Sequence, residues 1–204
     1  MKHSQRGYSL IELSIVLAII AVVIAGAITG VQSILRSNNV VRVISTTNKA
    51  VGAITAKLVR DANYANATLP VLTNAGMEIW DAKDITNAGA AGARVGNPFG
   101  GQIWVAPLAA DAQGVTANNG YVYTITGIPV AACADVALGL DTLATAVSIQ
   151  NQLSTAVNAA PTALGATVVK SPGTAMTSAG VAPGCVPAAG NTGSVSISLL
   201  IPRS

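Results

Sequence analysis

The sequence is poor in the residues that usually carry catalysis, metal binding and nucleic-acid recognition. Only 9% of its 204 residues are charged, only 3% are aromatic, and the single histidine is His3. Without a second imidazole, a catalytic triad or a histidine metal site is an unfavourable interpretation. The formal net charge of +3 is too small to indicate a nucleic-acid-binding surface. We therefore expect a chain that is not an enzyme and holds no metal or cofactor, and the sequence gives no direct evidence for nucleic-acid binding.

Cysteine is equally scarce. Cys133 and Cys185 are far apart, show no CxxC spacing and have no histidine nearby, which argues against a zinc site and a thioredoxin-type redox pair. A disulfide is the favoured interpretation, and two buried free thiols are the alternative. A disulfide closing a loop of about 50 residues would contribute roughly 4 kcal/mol in an oxidising compartment.

One long apolar run stands near the N-terminus. Residues 13–35, LSIVLAIIAVVIAGAITGVQSIL, hold 23 positions without a charge, and a helix of about 20 apolar residues spans a bilayer. The run is longer than that of an ordinary cleaved signal peptide, and no A-x-A site follows it. Lys2 and Arg6 precede it, so the positive-inside rule keeps this end cytoplasmic and sends the rest of the chain across the membrane.

One acidic residue, Glu12, interrupts the apolar pattern at the start of this run. A charge costs at least about 2.5 kcal/mol near the bilayer centre and less toward the interface. Glu12 either reaches water at the headgroup boundary or pairs with another charge. The neighbouring sequence favours pairing. Residues 7–20, GYSLIELSIVLAII, resemble the class III signal of type IV pilins and the related pseudopilins, with a glycine at the cut, an apolar run and an acidic residue five positions beyond that glycine.

This resemblance implies that prepilin peptidase cleaves between Gly7 and Tyr8 and methylates the new amine of Tyr8. The cut would create a cation four residues from Glu12, at the same depth in the membrane. Within one helix this amine and the Glu12 carboxylate could interact with each other. The resemblance implies that the carboxylate instead meets the terminal amine of a neighbouring subunit. Such a pair neutralises a costly charge in a low-dielectric medium and favours one register of assembly. We therefore expect Glu12 to act in subunit recognition.

Small residues recur along the apolar run at Ala18, Ala21, Ala25 and the pair Gly26 and Gly30. Such positions let the backbones of packed helices approach closely. The two glycines can instead loosen the helix, because each costs up to about 1 kcal/mol relative to alanine. Many filament pilins carry a helix-breaking proline in this region, and this segment has none. Close packing and local loosening both stay open at this point.

Beyond Leu35 the pattern predicts that the same helix continues into the aqueous space, to about Ala67. Its apolar residues keep to one helical stripe, at Val40, Ile44, Val51, Ile54 and Leu58. The chain is accordingly divided into a leader (1–7), a transmembrane and assembly helix (8–35) and a head domain (36–204).

The head is predicted to hold loops and strands. Residues 69–101 lose periodicity and carry many glycines and prolines, which indicates a surface loop. Strands are then predicted at Gln102–Ala106, Tyr121–Thr126 and Ser194–Leu199, and the last two show clear alternation of apolar and polar residues. Asn118, Asn119 and Gly120 are expected to form a hairpin turn between the first two strands, and a helix is expected near Asp135–Asn158. The expected fold class is α+β: a long N-terminal helix packed on a small antiparallel sheet, with a disulfide-bracketed C-terminal region.

Three acidic residues, Glu78, Asp81 and Asp84, lie close together in the predicted loop. Their spacing lacks an EF-hand pattern. A solvated turn or short helix is therefore favoured over a calcium site.

A second resemblance covers most of the head. The segment GNPFGGQIWVAP (96–107), followed by a strand and then by PVAAC (129–133), resembles the type IVb pilins, particularly those of conjugative thin pili. In such pilins two cysteines bracket a variable region on the filament surface, which corresponds here to Cys133 and Cys185. The seven-residue leader is shorter, closer to type IVa pilins.

These features predict a structural subunit of a type IVb-like pilus, used for adhesion, aggregation or conjugative mating contact. Its expected partners are copies of itself, prepilin peptidase, the inner-membrane pilus assembly platform and, before assembly, the membrane. We expect a single-pass inner-membrane protein with a periplasmic head, and then an extracellular pilus. The alternatives are a minor pilin, a pseudopilin of a type II secretion-like machine, or an anchored binding module that never polymerises.

Overall fold

The computed structural model describes residues 9–151, 160–186 and 193–203. The chain divides into two compact units, residues 1–38 and 39–204, and helix α1 belongs in part to each. The helices are α1 (Leu10–Leu58), α2 (Leu69–Leu72), α3 (Val130–Gly139) and α4 (Ser178–Val181), with 3-10 turns at Ala82–Asp84 and Ala182–Cys185. The strands are β1 (Ile85–Thr86), β2 (Arg94–Gly96), β3 (Gln102–Pro107), β4 (Gly120–Pro129), β5 (Ala146–Asn151), β6 (Val168–Lys170) and β7 (Ser194–Pro202).

The described part of the N-terminal unit is helical from Leu10, and its apolar side chains lie on all sides of the helix. Its large apolar side chains between Leu10 and Leu35 are 46–87% exposed. By length and composition this helix is able to cross a membrane. A helix that is apolar all round is stable only where lipid or protein covers it, so this unit requires a membrane or neighbouring helices.

The described strands of the second unit form one antiparallel sheet of seven strands, in the order β1-β2-β3-β4-β7-β5-β6. Strand β7 therefore lies between β4 and β5. Tyr123 of β4 is opposite Val105 of β3 on one side and Leu199 of β7 on the other. The register between β4 and β7 shifts between Ile125 and Ile128, where Gly127 takes a φ of 74°. Glycine suits this irregularity because it enters the left-handed region without a steric cost.

The two faces of the sheet have different coverings. Alternate residues of a strand point to opposite faces. On β4, Tyr121, Tyr123 and Ile125 join the main core with the second half of α1 and with α3, whereas Val122 joins a smaller cluster with Leu200. The predicted helical stripe is confirmed, since Val40, Val51, Ile54 and Leu58 are buried and Ile44 is half-buried.

The predicted end of α1 is wrong. The helix ends at Leu58, about two and a half turns of helix before Ala67 would be reached. Tyr64 does not continue the helix, because its main-chain N–H donates to the carbonyl oxygen of Asn118 at 2.7 Å. Its ring also packs edge-on against Tyr121, with centroids 5.2 Å apart. Long-range packing overrides local helical preference here.

The helix predicted near Asp135–Asn158 is also wrong in extent. Helix α3 ends at Gly139, and residues 146–151 form strand β5, paired with β7 and β6. The remaining part, 152–159, lies outside the described residues. Residues 69–101 are not only loop, because they contain α2, β1 and β2.

The three predicted strands are confirmed as parts of β3, β4 and β7. Strands β3 and β4 pair in the antiparallel sense, but the tight hairpin turn predicted between them is wrong. Their connection runs over residues 108–119, and Asn118 has a φ of 57° near its end.

Candidate assembly site and disulfide-bracketed region

Glu12 lies in the first turn of α1 and is exposed. The helix dipole favours a carboxylate at this end. The adjacent apolar side chains Leu10, Ile11 and Leu13 are 87%, 69% and 54% exposed. Within the described ranges, no hydrogen bond or ion pair reaches the Glu12 carboxylate. An unpaired carboxylate therefore lies beside apolar side chains that are exposed and would be stabilised by burial in lipid or protein. Gly7 and Tyr8, the predicted cleavage and methylation positions, lie outside the described residues.

Gly26 and Gly30 are one helical turn apart and thus share one face of α1. A Cβ built on either glycine would meet no heavy atom within 4 Å. The helix is continuous across both positions, so loosening is not seen in the isolated subunit. The two glycines leave a shallow face that a second helix can approach, and their role in helix packing stays a prediction.

The predicted disulfide is present between Cys133 of α3 and Cys185 of the second 3-10 turn. The two Cα atoms are 5.7 Å apart, across a sequence separation of 52 residues. Both cysteines are buried in the main core. The bond ties the end of the C-terminal region to the helix that follows β4.

The disulfide-bracketed region contains an ion pair that the sequence analysis missed. Lys170 Nζ lies 3.0 Å from Asp141 Oδ1 and also donates to the Asp141 main-chain carbonyl. The Met176 N–H donates to the same carboxylate oxygen at 3.1 Å. Burial raises the pKa of Asp141, but the Lys170 and Met176 hydrogen bonds outweigh it and hold this pKa below its usual value. The available signal was that Lys170 is the only charged residue between positions 142 and 202.

The acidic group of the loop is split by the structure. Asp81 forms an exposed ion pair with Lys83 at 3.5 Å, and Asp84 ends the first 3-10 turn. Glu78 takes a φ of 47°. Over the described ranges, no three His, Cys, Asp or Glu residues are grouped to hold a metal ion.

The comparisons with known proteins agree with this arrangement. The prokaryotic N-terminal methylation motif matches residues 2–28. The chain is 32% identical over 177 residues to the major structural subunit of the bundle-forming pilus of Escherichia coli O111:H-, covering 82% of this chain and 84% of that protein. The same subunit from Escherichia coli O127:H6 matches with the same identity and coverage.

A solved structure shares the fold. TcpA, a type IV pilin from Vibrio cholerae El Tor biotype, superposes with a TM-score of 0.51 at 17% identity, covering 80% of this chain and 98% of that one.

The methylation motif covers the same part of the chain as the predicted assembly residue Glu12. The match includes Glu12 and extends into the exposed apolar part of α1. This apolar helix anchors the subunit in a membrane before assembly. The relatives that match along most of the chain are major subunits of a pilus, which disfavours the pseudopilin and binding-module alternatives. The chain belongs to the type IV pilin family and is a structural subunit of an extracellular pilus.

Proposed function

We propose that the subunit is cleaved between Gly7 and Tyr8 by prepilin peptidase, is methylated on the Tyr8 amine, and polymerises when Glu12 pairs with that amine on a neighbouring copy. The methylation motif over residues 2–28 supports the processing step. The open Glu12 carboxylate at the start of an exposed apolar helix is the observation that carries the assembly step.

The energetics favour a partner of identical sequence. When the helix leaves lipid, its apolar surface must be covered by protein of similar character. An acid inside that cover must be neutralised, because an unpaired charge in a low-dielectric medium is costly. The cationic amine of a second copy lies near the start of the same type of helix and supplies the opposite charge. Gly26 and Gly30 would let the helices approach closely enough to exclude lipid.

We place the head on the periplasmic side before assembly. Lys2 and Arg6 precede the apolar helix, which orients such a segment with its N-terminus in the cytoplasm. The Cys133–Cys185 disulfide suits an oxidising compartment. The inner-membrane pilus assembly platform would then extract the subunit, and the type IVb subgroup is the one favoured by segment 96–107 and the two cysteines.

The relatives belong to a pilus named for forming bundles. We propose that filaments of this subunit also associate side by side. The described parts of residues 142–202 contribute a surface that favours such association. Its one charged residue, Lys170, is already paired with Asp141. A surface without net charge repels an identical surface weakly. Bundling measured by light scattering should therefore change little between low and high salt. A strong loss of bundling at low salt would contradict this extension.

The assembly step is tested with Glu12→Ala and Glu12→Gln, beside Glu78→Ala as a matched control at an exposed acid of the head. The readouts are membrane fractionation, mass spectrometry of the mature N-terminus and the yield of sheared filaments. Both Glu12 variants should insert and be cleaved, but filament yield should fall by more than about tenfold, since breaking a buried ion pair costs about 3–5 kcal/mol. The control should assemble normally. Normal filaments from both Glu12 variants would refute the pairing role.

A further inference from the structure

The sequence contains one Asn-Gly pair, Asn119 and Gly120, at the point where the connection from β3 enters β4. Asn119 is exposed, whereas Gly120 is buried. The Asn118 carbonyl accepts from the Tyr64 N–H at 2.7 Å, and the Asn119 carbonyl accepts from the Arg203 N–H at 2.9 Å. The chain that leaves α1 and the chain that leaves β7 are therefore both attached to the main chain at this pair.

The fold requires glycine at position 120. A Cβ there would lie 2.8 Å from Val115 Cγ1 and 2.9 Å from the Ile201 carbonyl oxygen. That oxygen belongs to β7, which pairs with β4 at this point, so it cannot retreat without disturbing the sheet. Close packing therefore keeps a residue without a side chain directly after Asn119.

A following glycine makes an asparagine chemically labile. After losing its proton to a base, the main-chain nitrogen of the glycine can attack the side-chain Cγ of the asparagine. A new N–Cγ bond closes a cyclic imide, the bond from Cγ to the amide nitrogen breaks, and ammonia leaves. Water then opens either carbonyl of the imide, which produces aspartate or isoaspartate. A side chain on the attacking residue hinders this step, and glycine has none.

The local hydrogen bonds leave the reacting groups available. The Leu108 N–H donates to the Gly120 carbonyl at 3.0 Å, but the Leu108 carbonyl accepts from the Asn118 N–H at 2.8 Å. In the described residues, Asn118 thus takes the place of the Gly120 N–H that a regular antiparallel pair would use. The Asn119 side chain makes no hydrogen bond to any residue that the structure describes. By contrast, the Asn74 side-chain oxygen accepts from the N–H of the next residue at 2.8 Å.

We propose that Asn119 is a site of spontaneous deamidation, in which the Gly120 nitrogen displaces the side-chain amide as ammonia and leaves aspartate and isoaspartate. The reaction consumes one water molecule and needs no enzyme, so it continues in subunits that have already left the cell. This inference is independent of the proposed assembly step.

The two products have opposite effects on the head. The pairing of Gly120 with Pro202 continues to position 119 and Arg203, which lie opposite each other across β4 and β7. An aspartate at 119 therefore faces a cation, which is a stabilising cross-strand pair. An isoaspartate instead carries the main chain through Cγ. It lengthens the backbone and displaces the carbonyl groups that accept from Tyr64 and Arg203.

Peptide mapping by mass spectrometry tests the site on the full chain in detergent micelles, at neutral and at mildly alkaline pH. A synthetic peptide of residues 116–122, incubated beside it, reports the same reaction without the fold. The segment with Asn119 should gain about 1 Da as NH2 is replaced by OH. The gain should be faster at the higher pH, because the Gly120 nitrogen must lose a proton, and both products should form. Asn66 and Asn74, which are exposed and precede alanine, should keep their amides.

The folded chain decides the proposal. An intact Asn119 in the folded chain, after the free peptide has reacted, would overturn it, because the fold would then protect the site. Formation of aspartate without isoaspartate would also overturn it, since direct hydrolysis, and not attack by Gly120, would be the route.

Variants assign the position and separate the two products. Asn119→Gln should prevent the mass gain, because its longer side chain closes the imide far more slowly, and Asn74→Gln should leave the gain unchanged. Asn119→Asp should keep the Tm of the fresh wild type, whereas the aged wild type should lose Tm in proportion to its isoaspartate. A mass gain that persists in Asn119→Gln would contradict the assignment. The wild-type measurement decides the proposal if a variant does not fold.

Discussion

Lys170 Nζ lies 3.0 Å from Asp141 Oδ1, although strand β5 separates the two residues along the chain. Their side chains are 11% and 24% exposed, so the pair is shielded from water more than an ordinary surface pair is. The ammonium bonds both the carboxylate and the main-chain carbonyl of Asp141, and therefore attaches β6 to the turn that follows α3. The disulfide-bracketed region, whose only other charged residue is Asp135, thus contains one well-satisfied ion pair.

This pair predicts a loss of stability in acid. The folded-state pKa of Asp141 is lowered, so its contribution is fully present above the unfolded pKa of about 3.9 and is lost as pH falls through that value toward the folded pKa. Asp141→Asn should therefore flatten the fall in Tm between about pH 6 and pH 3. Asp135→Asn, an exposed acid on α3, should leave that fall unchanged. Equal pH profiles for wild type and Asp141→Asn would contradict the prediction.

The buried tyrosines predict a second loss of stability, in alkali. Burial raises the pKa of Tyr123 to about 12 and also raises that of Tyr121, whose hydroxyl lies 3.4 Å from the Val51 carbonyl oxygen. Since the folded-state values are raised, their contribution is full below about pH 10 and is lost as pH rises from 10 toward 12. Tyrosinate absorbance and circular dichroism should change together above about pH 10. Tyr123→Phe should weaken this pH dependence, and ionisation of all tyrosines without unfolding would argue against it.

Two glycines predict opposite effects of the same substitution. A Cβ at Gly101 would lie 1.9 Å from the Thr126 carbonyl oxygen, so Gly101→Ala must displace β3 or β4 and should cost about 1–3 kcal/mol. Gly52 lies in the middle of α1, where a Cβ meets nothing within 4 Å. Gly52→Ala should stabilise the chain by about 0.5–1 kcal/mol through helix propensity. Chemical denaturation of both variants checks the signs, and a neutral Gly101→Ala would show that the strands yield easily.

The disulfide predicts a common cost for two treatments. The double variant Cys133→Ser, Cys185→Ser and the reduced wild type should each lose about 2–5 kcal/mol of unfolding free energy, because both free the same loop in the unfolded chain. Denaturation with and without reductant measures this. Adding reductant to the double variant should change nothing, and a larger loss in the variant than in the reduced wild type would point to side-chain packing instead.

Larger residues on the glycine face of α1 should impair assembly without impairing insertion. Gly26→Leu and Gly30→Leu add bulk where a neighbouring helix is expected to approach, whereas Ala27→Leu adds it about 100° around the helix. Filament yield should fall by about tenfold or more for the glycine variants and less for the alanine variant. Similar yields from all three would show that these glycines do not face a close helix.

Local signals carried much of the sequence-based prediction. The apolar run, the helical stripe ending at Leu58 and the alternation of β4 and β7 are all visible over short windows. The errors arose where distant residues decide. The position of Tyr64 depends on its contacts with Asn118 and Tyr121. Strand β5 lies in an Ala- and Thr-rich stretch, and it forms a strand because it pairs with β7. Glu12 was identifiable because a lone charge in an apolar segment is a strong exception, whereas Asp141 is one acid among several.

The position of β7 has a consequence for biogenesis. It follows every other described strand along the chain, yet β4 and β5 both bond to it. Because these residues are synthesised last, a chain that lacks them has no strand to join β4 to β5, and the edges of both strands that face β7 stay unpaired. A polypeptide cut short by premature termination lacks the piece that unites them, and it would be left to proteases rather than to the growing fibre. We therefore expect that only a chain extending through β7 can close the sheet and enter the filament.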